Sequence, residues 1–483
     1  MRRVLLLALV AALGSATPAS GFDNTASLAA KQWYLAADKA WDYWPAMPTL
    51  TPVKVAVVDS GIDYGHPDFA GRVAGGKSFV GGSWRNDSDG HGTFVAGEIA
   101  ADPANGVGIA GLAFNARLLI AKVVRPDGSV SLPGEVAAIR WAANNGARVI
   151  NLSLGGVRDP TDPQLDTYSP LEQAAIEYAY GKGAVIVAAV GNGEESPATP
   201  WRFADYPAAL PHVIGVGAVG PLGGVPTFSN RDPKYVDIAA PGVDIFSTIP
   251  RGLVDDSRPD CAGVPYSNCG PFEFRNAIGT SFAAPQVSAA AALLIGVDPQ
   301  LTPDQVSWLL ERSATDANAS NGCSICARGR DPFTGWGKLD VEAALTALTA
   351  GHLPPPDTDE PNDNAGPAAH RVDLPATITA TLDYWDDQVD VYAVALRAGE
   401  RLFARLTPLS AAQTRLVLWK PGTVDVNDTR DLLTNEAARS LAVGLQKRLA
   451  YTAARGGTYY VEVTLLHQTR NPVQYRLGLA IGS

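Results

Sequence analysis

The sequence predicts an α/β protein with an all-β appendage, and two observations carry the prediction. Between residues 53 and 219, short uninterrupted Val/Ile/Ala runs alternate with amphipathic stretches, the pattern of a parallel sheet covered by helices on both faces. Beyond His352 the runs alternate in polarity and are separated by Gly-containing or polar turns, the pattern of a β-sandwich. A chain of 483 residues, 46% hydrophobic and 18% charged, is long enough for two or three domains with cores of their own.

Taken in order, residues 1–20 read as a secretory signal peptide. Met1-Arg2-Arg3 is basic, residues 4–13 are apolar, and residues 14–20 are small and turn-forming. That apolar stretch is about half of what a membrane span needs, so the expectation is a secreted, extracellular protein without a transmembrane anchor. Buried strands are expected at 54–58, 117–123, 148–152, 184–189 and 213–216, with helices at 93–101, 133–144 and 170–182. Residues 281–295 form an Ala-rich run suited to a buried helix. Thr302-Pro303-Asp304 opens another, with a cap followed by Pro at the first helical position. The α/β domain is expected over 28–350 and a proline-rich acidic linker over 351–363. A β-sandwich is expected over 364–483, with strands at 376–382, 389–396, 401–406, 415–418, 459–465 and 475–480.

Charge and cysteine usage narrow the function classes. A net charge of −11 and a pI near 5.1 leave no positive field to hold nucleic acid or an anionic membrane. Cys323 and Cys326 form a C-x-x-C, with Cys261 and Cys269 elsewhere. Zinc wants four convergent ligands, and no second C-x-x-C or paired His lies nearby; a redox motif wants a thioredoxin-like context, which is absent. In an exported chain two disulfides are the simpler reading. Of three connectivities, Cys261 with Cys269 and Cys323 with Cys326 is preferred.

Three segments place reactive side chains where a strand or loop hands over to a helix. Val57-Val58-Asp59-Ser60-Gly61 ends a strand on an aspartate, Gly90-His91-Gly92-Thr93 opens a helix on a histidine, and Gly279-Thr280-Ser281-Phe282-Ala283 opens another on a serine. Ligands of parallel sheets collect outside the carboxyl ends of the strands. A serine hydroxyl needs a base, a neutral imidazole is one near neutral pH, and a buried carboxylate fixes the ring's tautomer.

These motifs, in the order Asp, His, Ser, resemble the subtilisin-type serine peptidases, the subtilases, over residues 32–345. The resemblance implies a secreted serine endopeptidase with Asp59, His91 and Ser281 as catalytic triad. Ala189-Val190-Gly191-Asn192 resembles the segment whose Asn side chain helps hold the oxyanion, a role that maps to Asn192. Asn151-Leu152-Ser153-Leu154-Gly155 resembles the edge segment that pairs with substrate and walls the S1 pocket, so Ser153, Leu154, Gly155, Ala189 and Gly191 are the expected substrate-binding residues. Glu194 and Glu195 are expected near the rim of that pocket. The alternative is a catalytically inactive relative serving as a binding protein or adhesin.

The resemblance implies protein or peptide substrates, a monomer and no cofactor for catalysis. Structural calcium is common in the family, and Asp68, Asp102 and Asn105 are the candidate ligands. Two departures stand out: Phe282 follows the nucleophile where many relatives have Met, and Gln32-Trp33-Tyr34-Leu35 resembles a mature start with little room for a propeptide. In the tail, Asp359-Glu360-Pro361-Asn362-Asp363 and Asp387-Gln388-Val389-Asp390 resemble bacterial pre-peptidase C-terminal domains, with Asp387 and Asp390 as calcium ligands or as solvated turn acids.

Overall fold

The computed structural model describes residues 24–482 except 194–195, 255–271, 352, 355–356, 358, 386, 425, 427–433, 443 and 470. The proposed leader, Cys261, Cys269, Glu194 and Glu195 therefore lie outside the described residues.

The first part of the chain forms strands β1 (Val53–Asp59), β2 (Val73–Ser78), β3 (Ala116–Lys122), β4 (Val149–Leu152), β5 (Val185–Ala189), β6 (Val213–Val219) and β7 (Ile238–Pro241), with a hairpin of β8 (Ile245–Thr248) and β9 (Phe274–Ala277). Its helices are α1 (Trp33–Ala37), α2 (His91–Ala100), α3 (Leu132–Asn144), α4 (Pro170–Tyr180), α5 (Ala284–Val297), α6 (Pro303–Arg312) and α7 (Val341–Thr349). Strands β1 to β7 make one parallel sheet in the order β2-β3-β1-β4-β5-β6-β7.

Alternate residues of β1 serve opposite cores. Val55 and Val57 pack with α2 and α5, while Ala56 and Val58 pack with α3 and α4. This is why the strand reads as an unbroken apolar run. The chain moves to one side of β1 through β2 and β3 and then to the other through β4, so Asp59 ends its strand at the point where the strand order reverses, the place where open α/β sheets put their sites. The segment Thr280–Val297 is apolar and long enough to cross a membrane, yet 89% of it is buried inside the fold. It is the central core helix. Pro303 at the first helical position and a Thr302–Gln305 capping box open α6.

Two strands of the sheet escaped the sequence pattern. β2 contains Gly75 and Gly76 on a half-exposed edge, and β7 is only four residues ending in Pro241. The tail holds β10 (His370–Val372), β11 (Ala376–Leu382), β12 (Val389–Leu396), β13 (Arg401–Pro408), β14 (Thr414–Trp419), β15 (Glu436–Arg439), β16 (Lys447–Thr452), β17 (Gly457–Leu465) and β18 (Val473–Gly482). They form two sheets, β10-β12-β17-β14-β15 and β11-β18-β13-β16, antiparallel except for the β10–β12 pair. Their facing residues, including Leu382, Tyr392, Leu416 and Tyr475, share one apolar core.

The tail and the residues before it pack on the α/β body. Gln305 Nε2 donates to Pro354 O at 2.9 Å, and Arg312 pairs with Asp383 at 2.9 Å. The guanidinium of Arg330 lies 3.9 Å from the Trp385 ring centre, and Trp385 meets Trp336 edge-on at 6.1 Å. Cys323 and Cys326 are joined in a disulfide within a small buried cluster that includes Ala317.

Candidate active site

The site begins at the close approach of β1 and α2. A Cβ on Gly92 would lie 2.4 Å from Gly61 O and 3.1 Å from Asp59 Cβ, so only glycine lets the helix start this near the strand end. Asp87 caps the helix, its carboxylate accepting from Gly90 N at 2.8 Å, Thr93 N at 2.9 Å and Thr93 Oγ1 at 2.6 Å. Asp89 adds a second loop cap, accepting from His91 N at 3.1 Å. Ser60 Oγ accepts from Gly92 N at 2.8 Å. These bonds aim the His91 ring at the buried Asp59: Nδ1 lies 3.0 Å from both carboxylate oxygens.

Both partners of Nδ1 are acceptors, so Nδ1 carries the proton and the neutral ring keeps its lone pair on Nε2. Burial lowers the pKa of His91, but the charge and hydrogen bond of Asp59, followed by Asp89 and Asp87, outweigh it and push the pKa up to about 9.

Ser281 lies in the 3-10 turn Thr280–Phe282 that leads into α5, where first-turn N–H groups have no intrahelical acceptor. Its carbonyl accepts from Ser153 Oγ at 2.7 Å. Ser153 Oγ in turn accepts from Asn151 Nδ2 at 2.9 Å, and Asn151 Oδ1 accepts from Ser288 Oγ at 2.8 Å. This buried chain ties the end of β4 to the serine turn. Phe282 packs 5.3 Å from the His91 ring and 4.5 Å from Phe94, measured between ring centres.

Asn192 follows β5, and its side-chain oxygen accepts from Thr280 N at 2.8 Å and Thr280 Oγ1 at 2.9 Å. A backbone N–H can only donate, so that atom of Asn192 is the oxygen, and Nδ2 is turned the other way. Leu154, Gly155, Ala189, Gly191, Asn192 and Ser281 line one cavity of about 140 Å³, with Ser153 behind Ser281. Sequence reasoning left out Thr280, Ser288 and Asp205, a further lining residue.

Of the candidate calcium residues, Asp68 accepts from Asn105 Nδ2 and from Ile109 N, each at 3.0 Å. Asn105 Oδ1 accepts from Val107 N and Asp102 Oδ1 from Ala104 N, again at 3.0 Å. A different acidic group lies where the tail meets the body. Carboxylate oxygens of Asp357, Glu360 and Asp387 lie within 4.8 Å of one another, and so do ligand atoms of His212, Glu360 and Asp363. Among the described residues, Glu360 Oε1, Asp387 Oδ1, Asp390 Oδ1 and both side-chain polar atoms of Asn362 are buried with no hydrogen-bond partner. Burial first, and neighbouring carboxylates second, raise the pKa of Glu360, Asp387 and Asp390 well above the ordinary range.

Sheet, helices and site together define an α/β protein that gathers Asp59, His91 and Ser281 at the carboxyl ends of its parallel strands, the residue types of a serine hydrolase. The subtilase family model matches residues 51–328. The thermophilic serine proteinase of Bacillus sp. (strain AK1) is 39% identical over 258 residues, 53% of this chain and 55% of that protein. Subtilisin DY of Bacillus licheniformis is 36% identical over 293 residues, 60% of this chain and 90% of the relative. Among solved structures, sphericase is 28% identical with a TM-score of 0.50, covering 64% of this chain and 97% of sphericase. The chain belongs to the subtilase family, the serine endopeptidases of the subtilisin kind.

Proposed function

We propose that the chain is an exported endopeptidase that cleaves peptide bonds through Ser281, His91 and Asp59. His91 Nε2 accepts the Ser281 Oγ proton as that oxygen bonds to the substrate carbonyl carbon. The carbonyl electron pair moves onto oxygen, where Asn192 Nδ2 and the Ser281 N–H meet it. His91 returns the proton to the leaving amine as the C–N bond breaks, giving an acyl-enzyme. Water then attacks, passes its proton through His91, and frees the acid and Ser281. Asp59 holds the Nδ1 tautomer and stabilises the imidazolium. The observation that carries this reading is His91 Nδ1 at 3.0 Å from both oxygens of the buried Asp59. An inactive binding protein or adhesin is disfavoured, because every reacting group is present and the base is oriented. Ser281→Ala tests the reading: kcat should fall about 10⁶-fold, since triad members act as a unit, and full activity in the purified variant overturns it.

Export is proposed from the basic, apolar and small-residue regions of residues 1–20. The tail is proposed to be a pre-peptidase C-terminal domain, on the acidic motifs at 359–363 and 387–390 and on its alternating strands. The substrates are proteins or peptides, met by a monomer without nucleic-acid partners. Structural calcium is proposed at the junction, held by Asp357, Glu360 and Asp387 with Asn362 and Asp390 beside them. Oxygen-only, carboxylate-rich, buried and unpartnered groups suit that ion. There it would tie tail to body and neutralise mutually repelling acids.

A further inference from the structure

Where the tail meets the body, an imidazole faces two carboxylates. His212 stands in the body just before β6, while Glu360 and Asp363 belong to the segment that leads into the tail. His212 Nε2 lies 2.5 Å from Asp363 Oδ2 and 3.8 Å from Glu360 Oε2, and ligand atoms of the three residues fall within 4.8 Å of one another. The side chains of His212, Glu360 and Asp363 are only 1%, 4% and 11% exposed.

A hydrogen bond from Nε2 answers Asp363 alone, because 3.8 Å to Glu360 is beyond hydrogen-bond reach. The other oxygen of Glu360, Oε1, is buried with no hydrogen-bond partner. The ring is held in place from its face: Tyr180 stacks on it, with ring centres 3.8 Å apart and planes 20° apart. His212 keeps φ at 60°, in the left-handed region where residues other than glycine are uncommon. A cavity of about 380 Å³ opens beside His212 and Asp363, with Asp304 and Ser307 on its wall, so water has room to complete a coordination shell.

We propose that His212, Glu360 and Asp363 form a zinc site that clasps the tail to the body, a second ion beside the proposed calcium and sharing Glu360 with it. The inference does not depend on the chemistry of Ser281. The donor set decides the metal. Calcium takes oxygen ligands, whereas zinc takes imidazole nitrogen and carboxylate oxygen together, at about 2.0–2.2 Å, with water in the remaining position. Tetrahedral bonds of that length set ligand atoms roughly 3.3 Å apart, between the separations of 2.5 and 3.8 Å found around Nε2. A dication there neutralises both buried acids at once, which a proton on Nε2 cannot do. One ligand comes from the body and two from the segment leading into the tail, so the ion favours the docked arrangement over any in which they part.

The test uses the full-length protein, stripped of metal and returned to saturating calcium chloride so that the calcium position is filled. Zinc chloride titrated in a calorimeter should bind at one equivalent per chain. Cobalt(II) chloride in its place should give the intense visible absorption of a four- or five-coordinate ion, which zinc then abolishes. Zinc-edge X-ray absorption of the native complex should show one imidazole among oxygen neighbours, a readout that needs no variant to fold. His212→Asn, a residue that tolerates the same backbone conformation, should lose more affinity than the about 10–100-fold lost when a merely supporting partner of a metal ligand is removed. Asp387→Asn should keep its zinc. No zinc uptake by the folded native protein, an oxygen-only shell, equal affinity in folded His212→Asn, or a loss in Asp387→Asn as large as that in His212→Asn overturns the proposal.

Discussion

Thr280 donates both its backbone N–H and its hydroxyl to Asn192 Oδ1, at 2.8 and 2.9 Å. The residue before the serine thus decides which way the amide of Asn192 points, with Nδ2 turned away from Thr280. Asn192→Ala should cost about 10²–10³ in kcat with little change in KM, because that donor matters mainly in the transition state. Thr280→Val keeps the N–H and loses the hydroxyl, so its loss should be smaller and again confined to kcat. Steady-state kinetics on one peptide substrate check both; a rise in KM without a fall in kcat would assign Asn192 to ground-state binding.

The pH profile follows from His91. As the proposed base, His91 acts only when neutral, and the surrounding acids hold its pKa up to about 9 against the lowering effect of burial. Activity in kcat/KM should therefore rise through a limb above the ordinary histidine value of about 6.5 and stay high into alkali. Asp89→Asn removes one of the charges that raise the pKa, so the limb should move to lower pH. An optimum near pH 4 would exclude His91 as the base.

Removing calcium should loosen the junction. The protein dialysed against a chelator should melt at a lower temperature than the calcium-replete protein, and added calcium should restore it. Asp387→Asn should blunt the difference. Identical melting curves with and without chelator would remove the ion from the account.

The tail contacts the body through Arg312–Asp383 and the Arg330–Trp385 stack, and none of these residues lines the cavity at Ser281. A chain ending at Gly351 should keep its turnover of a short peptide substrate while melting at a lower temperature, since it leaves Trp336 and Arg330 without their tail partners. Calorimetry and a peptide assay on the truncated and full chains check this. Loss of turnover in a folded truncation would give the tail a part in catalysis.

The candidate catalytic residues stand out in the sequence because each sits inside a short local pattern: an apolar run ending on Asp59, glycines flanking His91, and a glycine before Thr280-Ser281. The sheet was legible where both faces are buried, as in β1, whose seven residues are all apolar except Lys54 and Asp59. It was not legible at β2, where the edge is half exposed and contains two glycines. In the tail, β15 and β16 carry mixed, largely polar faces and gave no clean alternation. Asp205 escaped because it reaches the cavity from a separate loop through backbone bonds to Val190, and such bonds leave no trace in residue type. Residues 351–363 read as a spacer because proline and acid compose a solvated linker and a buried acidic site equally well. In the fold Asn362 is wholly buried.

The central claim is that Ser281 is an activated nucleophile, and fluorophosphonate titration followed by mass spectrometry of the labelled peptide tests it most directly. The account predicts one label per chain, on Ser281 Oγ, formed at a rate that rises with pH along the His91 limb and collapses in His91→Ala. A folded protein that takes up no label, or takes it up on another residue at a rate indifferent to His91, would contradict it.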